Sequence, residues 1–388
     1  MSVNSFDELK SVAAQGGVEA VLEHLINKLR NEQSIHEMLQ VRLMQCRYRL
    51  GLPVAQPPVL DKLEEPLRTQ VEDAYVNAYR EAGQLLLEAG RVREAFMYLR
   101  PLGDTAELAE AINHIEPNDE NLDEIVEIAI HEGLAPRRGF ELVLRDYGIC
   151  NAITMYESAM YDKPLEQQQQ VVQLLVDSLH EELLASLSSE IARQEGSQPK
   201  GQSILDLVAD REWLFTDDSY HIDTSHLHSV VRFARVADDP AVLAKAIDLC
   251  EYGKRLSPQF QYQTEEPFAD VYGGQQRFFE ALAGHSVEEN LAYFREKAES
   301  LSPEEHGTGP IEVYVALLSR LGRHDEAMEA AINLLPADAR MLGFAPSLVE
   351  LASRTGNYAG LMQVCEKRND VLGFAAGLVE SQLASTAS

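Results

Sequence analysis

The stretch NAYREAGQLLLEAGRVREAFMYL, residues 77–99, decides the fold. Its bulky and small residues recur every three or four positions, the spacing that lines one face of a helix, with none of the period-two alternation of a half-buried strand. Gly90 interrupts the pattern, so two helices are expected, the first carrying Gly83 and Leu86 and the second Ala95 and Leu99. Small residues at such positions let helix axes approach closely. The layout returns at IEVYVALLSRLGRHDEAMEAAINLLP, 311–336, where Tyr314 and Leu318 precede Gly322, Ala327 and Ala331 follow it, and Pro336 closes the unit. It returns again at LVELASRTGNYAGLMQVCEKR, 348–368, with its turn at Gly356, 34 residues after Gly322. Looser copies are expected to turn at Gly133 and Gly284.

Outward from these units the spacing stays helical and no sustained strand pattern occurs, so the fold class is all-α. Val21, Leu22, Leu25, Ile26, Leu29, Leu39, Leu43 and Leu50 mark a long helix or a broken pair near the start. Four prolines between Leu50 and Leu67 each remove a backbone donor and push the preceding residue toward extended geometry, which reads as a linker. A second break, ARQEGSQPKGQS at 192–203, has the Gly, Ser, Gln and Pro content of a flexible connection. Three segments are therefore expected: an N-terminal helical segment 1–52, a helical module 67–195 and a second module 204–388.

The bulky-small-bulky first helix, the tight turn and the small residue on the second helix resemble the tetratricopeptide repeat, whose period is 34 residues. Tyr79 stands where that pattern prefers tryptophan. The resemblance implies a right-handed α-α superhelix with a less regular middle section, and a concave groove lined by first helices. On the family pattern the groove would present Asn77, Arg80, Gln84 and Glu88, then Glu312, Ser319 and Arg320, then Glu350, Ser353 and Arg354. The Ser-Arg pair recurs in register, and Arg320 and Arg354 are expected to accept a carboxylate.

Charge narrows the partner. The 388 residues hold 63 Asp and Glu against 33 Lys and Arg, a net charge of -30, which phosphate backbones and anionic lipids repel. No nucleic acid or membrane partner is expected, and a protein or peptide ligand should be basic or neutral. From Arg100 to Arg137 ten acids occur with no intervening Lys or Arg, the pattern of a solvated face or of a docking surface for a basic partner. Four widely separated cysteines without a Cys-x-x-Cys pair, a start lacking the cationic and apolar regions of a signal, and the lack of an apolar run of membrane length point to the cytoplasm.

Chemistry-bearing residues concentrate in DREWLFTDDSYHIDTSHLHSVVRFARVADD, 210–239, which holds the chain's one tryptophan, Trp213. Here Asp223, Thr224 or Ser225 is placed to cap a helix through Leu227, Val230, Val231 and Phe233. His226 and His228 diverge on that helix, whereas His221 in the preceding loop is able to fold back toward His226. Imidazoles and carboxylates of His221, His226, Asp218 and Asp223 would suit a divalent transition metal, although H-E-x-x-H is absent. Asp217 and Asp218 also offer helix caps. Elsewhere His131 and His180 each precede a glutamate, and Cys150 lies near Asn151 and Thr154 with no histidine close by in sequence to activate it. No phosphate-cradling loop, nucleophile elbow or nucleotide fingerprint is present. The leading expectation is a helical-repeat scaffold or adaptor with no cofactor; the alternative is a metal-dependent enzyme with its site at 217–228.

Overall fold

The computed structural model describes residues 5–201, 203–336 and 342–386, and of Ser5, Asp217 and residues 384–386 the backbone alone. The extreme ends of the expected segments 1–52 and 204–388 thus lie outside the described residues. Helix makes up 74% of the chain and no strand occurs among the described residues, which settles the class as all-α. Packing is largely sequential, each helix lying against its neighbours in the chain. The chain divides into two compact units, Met1–Tyr147 and Gly148–Ser388.

The first unit contains α1 (Ser5–Asn31), α2 (Ile35–Arg49), α3 (Leu67–Glu88), α4 (Val92–Leu99), α5 (Thr105–His114), α6 (Leu122–Ile130) and α7 (Pro136–Asp146). The expected long helix or broken pair near the start is a pair, α1 and α2, which pack on each other. Ile26, Ile35, Met38, Leu39, Ala82, Leu86 and Leu99 join in one core. Gly83 explains how α3 and α4 come so close: a Cβ there would lie 2.5 Å from the Leu99 side chain. The proline-rich segment is tied to this unit through buried Arg47, which donates from Nε and Nη2 to the Val54 carbonyl at 3.1 and 2.9 Å and from Nη1 to the Tyr75 hydroxyl.

The second unit begins with α8 (Gly148–Ala159), α9 (Leu165–Glu195), α10 (Ile204–Val208), α11 (Thr224–Phe233) and α12 (Pro240–Gly253). It continues through α13 (Val271–Leu282), α14 (Val287–Ser300), α15 (Pro303–His306) and α16 (Gly309–Arg320). It ends with α17 (His324–Leu334), α18 (Leu348–Thr355), α19 (Tyr358–Arg368) and α20 (Val371–Thr386). The two C-terminal units read from sequence are the pairs α16–α17 and α18–α19. Their turn residues Gly322 (φ 76°) and Gly356 (φ 73°) adopt the left-handed backbone that side chains disfavour, so the 34-residue spacing records two equivalent turns. The break read at 192–203 falls inside the second unit, where α10 packs on α9 and α12.

Three residues assigned to the groove lie inside this unit. Glu312 has 0% exposure and sits in the first turn of α16, where a carboxylate complements the helix dipole. Its Oε1 accepts from Thr308 Oγ1 at 2.6 Å and Leu342 N at 2.7 Å, and its Oε2 from Gly343 N at 2.8 Å and Phe344 N at 3.0 Å. Ser319 is 3% exposed, and its hydroxyl accepts from Arg354 Nη1 at 2.9 Å. Arg320 donates from Nη1 to the Arg235 carbonyl and from Nη2 to the Ala237 carbonyl, with Phe278 beneath its guanidinium. In this unit these three side chains are engaged by other parts of the same chain.

Because Glu312 collects three backbone N–H groups from 342–344, Glu312→Ala should destabilise the protein by about 2–4 kcal/mol, with Glu312→Gln losing roughly half as much. Urea melts check the magnitude, and limited proteolysis should show new cleavage near 342–344 in the alanine variant first. Unchanged melts and cleavage patterns in both variants would contradict this role.

Candidate functional site

An open cleft of about 520 Å³ lies in the second unit between the C-terminal half of α9 and the loop entering α11, within the usual size range of small-ligand pockets. Ser186, Ser189 and Glu190 line it from the helix, and Tyr220, His221, Ile222 and Asp223 from the loop. The helix supplies these side chains because its two faces differ. Val171, Val172, Leu175, Val176, Leu179, Leu183, Leu187 and Ile191 form a buried stripe at steps of three and four, leaving Ser186, Ser189, Glu190 and Arg193 on another face.

The loop is held by its own polar contacts. Asp223 precedes α11 and accepts through Oδ1 from Ser225 N at 2.8 Å, His226 N at 3.3 Å and the Ser225 hydroxyl at 2.5 Å. The Ser225 hydroxyl bond, helped by the two backbone N–H groups, keeps this carboxyl below its ordinary range. His221 donates its backbone N–H to the Tyr252 hydroxyl at 2.8 Å, and its ring Nδ1 lies 3.2 Å from the same oxygen. Tyr252 is fully buried, and desolvation pushes its phenol up to about 12, so it keeps its proton at neutral pH. The other ring nitrogen, Nε2, has no hydrogen-bond partner among the described residues. Desolvation lowers the His221 pKa, opposed by the negative charge of Glu190. Phe215 packs against both the imidazole and Tyr252, fixing the ring edge-on.

Across the cleft Glu190 is ion-paired with Arg193, which donates from Nε to Oε2 at 3.0 Å and from Nη2 to Oε1. Hydrogen bonding to Arg193 lowers the Glu190 pKa, so the carboxylate is ionised at neutral pH. Tyr220 is 55% exposed, and its ring meets Phe260 edge-on. The lining therefore offers two carboxylates, two serine hydroxyls, a neutral imidazole and the exposed phenol ring of Tyr220. Neither serine is hydrogen-bonded to His221, so the side chains do not form a nucleophile–base pair.

Of the expected metal set, His221 and Asp223 share this cleft. Asp218 sits with positive φ at the end of the 3-10 turn Glu212–Asp218, and His226 lies on α11. Of the three cap candidates Asp223, Thr224 and Ser225, it is Asp223 that fills the role. No group of three or more His, Cys, Asp or Glu is placed to hold a metal ion among the described residues, and the Asp217 side chain lies outside them. His228 turns elsewhere, against the Tyr262 ring at 4.9 Å. His180 bridges α9 to α12 through Asp248 at 3.2 Å, an internal structural contact.

The remaining groove positions are more open. Asn77, Gln84, Glu88, Glu350, Ser353 and Arg354 are exposed. Arg80 pairs with Asp104 at 2.8 Å, Gln84 donates to Glu107 at 2.9 Å, and Glu350 completes a capping box with Ser347. Sequence reading missed Ser186, Ser189 and Glu190, although their three- and four-residue steps beside an apolar stripe were visible. No protein-family model matches the chain, and no curated protein matches it.

The lowered His221 pKa has a definite sign in stability. Between its folded value and the usual imidazole value of about 6.5, the unfolded chain binds more protons, so stability falls as pH drops through that window. Urea melts between pH 7.5 and 5.5 should show this loss, and His221→Asn should reduce the slope. A proton NMR titration should place His221 below 6.5. An identical slope in the variant, or an ordinary His221 titration, would contradict the assigned environment.

Proposed function

We propose that the protein is a binding scaffold, a tetratricopeptide-like array of helix pairs that takes a basic or neutral segment of a partner protein in the cleft beside α9. The observation that carries this reading is the cleft lining. Glu190 and Asp223 both have lowered pKa values and keep their negative charge at neutral pH, beside the exposed ring of Tyr220. A lysine or arginine side chain would meet carboxylates at its charged end and the ring along its stem. The serines and the His221 ring would accept or donate hydrogen bonds to a peptide backbone.

The long-range field agrees in sign, since a net charge of -30 draws cations toward the surface and repels polyanions. Two equivalent helix-pair turns, 34 residues apart, support the repeat reading. No described helix is long and apolar enough to cross a membrane. A reducing, cytoplasmic setting fits the four free cysteines.

Trp213 is the chain's only tryptophan and lies on the 3-10 turn that leads into the cleft loop, which makes it a built-in reporter. Titration with an array of short lysine- and arginine-containing peptides should change its fluorescence saturably for a subset of sequences. Binding of the best peptide should weaken at high salt and by tenfold or more in Glu190→Lys, a loss of about 1.4 kcal/mol. If no peptide saturates at low salt, or the variant binds as wild type does, the cleft is not the binding site.

A further inference from the structure

The connection between α11 and α12 holds a cation, Arg235, with no carboxylate beside it among the described residues. Arg235 lies in the 3-10 turn Ala234–Val236. Three successive carbonyls there are each taken by a side chain: Arg235 by Arg320, Val236 by Gln169 at 3.0 Å, and Ala237 by Arg320 again. The turn is thereby fixed from α9 on one side and α16 on the other.

The side chain is fixed as well. Its Cζ stands 3.9 Å from the centroid of the Phe268 ring, and its Nε donates to Oε1 of buried Gln275 at 3.0 Å. Its two terminal nitrogens have no hydrogen-bond partner among the described residues, and no described carboxylate lies within ion-pairing distance. The adjacent Arg232, by contrast, is paired with Glu157. Desolvation, reinforced by Arg232, works against the Arg235 charge. A guanidinium does not escape such a cost by losing its proton. The Phe268 face offsets part of it and leaves the planar fork open on its terminal edge.

The neighbours point the same way. Arg232 and Arg235 both act on His228, lowering its pKa together with the larger effect of burial, while Glu157 opposes them. Buried Nδ1 of His228 and Nε of Arg232 have no hydrogen-bond partner among the described residues. A locally positive, preorganised fork inside a strongly acidic chain is an electrostatic exception that a bound anion would relieve.

We propose that Arg235 is the receptor of a small oxyanion, a carboxylate or phosphate group accepted by its two terminal nitrogens in bidentate fashion. The Phe268 stack and the Gln275 bond hold the fork before binding, so little side-chain freedom remains to be lost. A long acidic segment would meet the repulsion of the whole chain, which favours a small ion or a single group over a polyanion.

The test uses the full chain, with sodium acetate and sodium phosphate titrated separately at an ionic strength held constant with sodium chloride. Calorimetry and the His228 ring resonances are the readouts. At least one of the two anions should saturate both signals with Kd below about 10 mM, and the tighter one identifies the ligand as carboxylate or phosphate. Arg235→Lys, which keeps the charge and stem but loses the fork, should weaken binding tenfold or more while circular dichroism confirms the native fold. Failure of both anions to saturate in wild type, or unchanged affinity in folded Arg235→Lys, would overturn the proposal.

Discussion

The packing of α9 is the constraint on which the second unit depends. Leu165–Glu195 is a 31-residue helix, and its buried stripe from Val171 to Ile191 is covered in turn by α8, α11, α12 and α10. Each fully buried aliphatic side chain on that stripe contributes about 1.5–3 kcal/mol relative to exposure, so the helix is held along its length. Two polar links fix its register against α12: Lys245 with Asp177 at 2.8 Å, and His180 with Asp248 at 3.2 Å. Both span 68 residues, so a slip of α9 along α12 would break them together. The same helix presents Ser186, Ser189 and Glu190 to the cleft and, near its other end, Gln169 to the turn that carries Arg235. Both binding proposals therefore rest on one rigid element, the arrangement that preorganised sites require.

Buried polar side chains do a second job in this unit: they hold irregular backbone. Glu312 gathers the N–H groups of 342–344, Arg320 takes two carbonyls of the turn before α12, and the Tyr252 hydroxyl receives the backbone of His221. Segments without regular hydrogen bonding cannot be buried unless such partners exist. Polar residues on first helices thus have two available uses, facing a ligand or holding another segment of the chain.

Those two uses mark the limit of what was legible in sequence. Helical spacing around Gly90, Gly322 and Gly356 was readable because a left-handed turn and a small residue at a helix crossing leave local signatures. A cap at Asp223, Thr224 or Ser225 was readable for the same reason, and Asp223 fills it, with its partners Ser225 and His226 following within three residues. The backbone contacts of Glu312 with 342–344 and of Arg320 with 235 and 237 were not, because those partners lie 30 or more residues away and no local spacing encodes them. The recurring Ser-Arg pair did carry information: Arg354 of one pair binds the Ser319 hydroxyl of the preceding one, a packing contact where a ligand contact was expected. His221 and Asp223 were found by residue type, but their setting depends on Glu190 and Tyr252, brought in by α9 and α12.

Native-state hydrogen exchange, resolved by residue, tests the central role of α9 most directly. The amides of residues 171–191 should belong to the slowest-exchanging class of the second unit and open only with its global unfolding, together with the facing amides of α12. Exchange of the α9 core through local openings, at rates like those of the solvent-facing α20, would contradict an account in which this helix supports both sites.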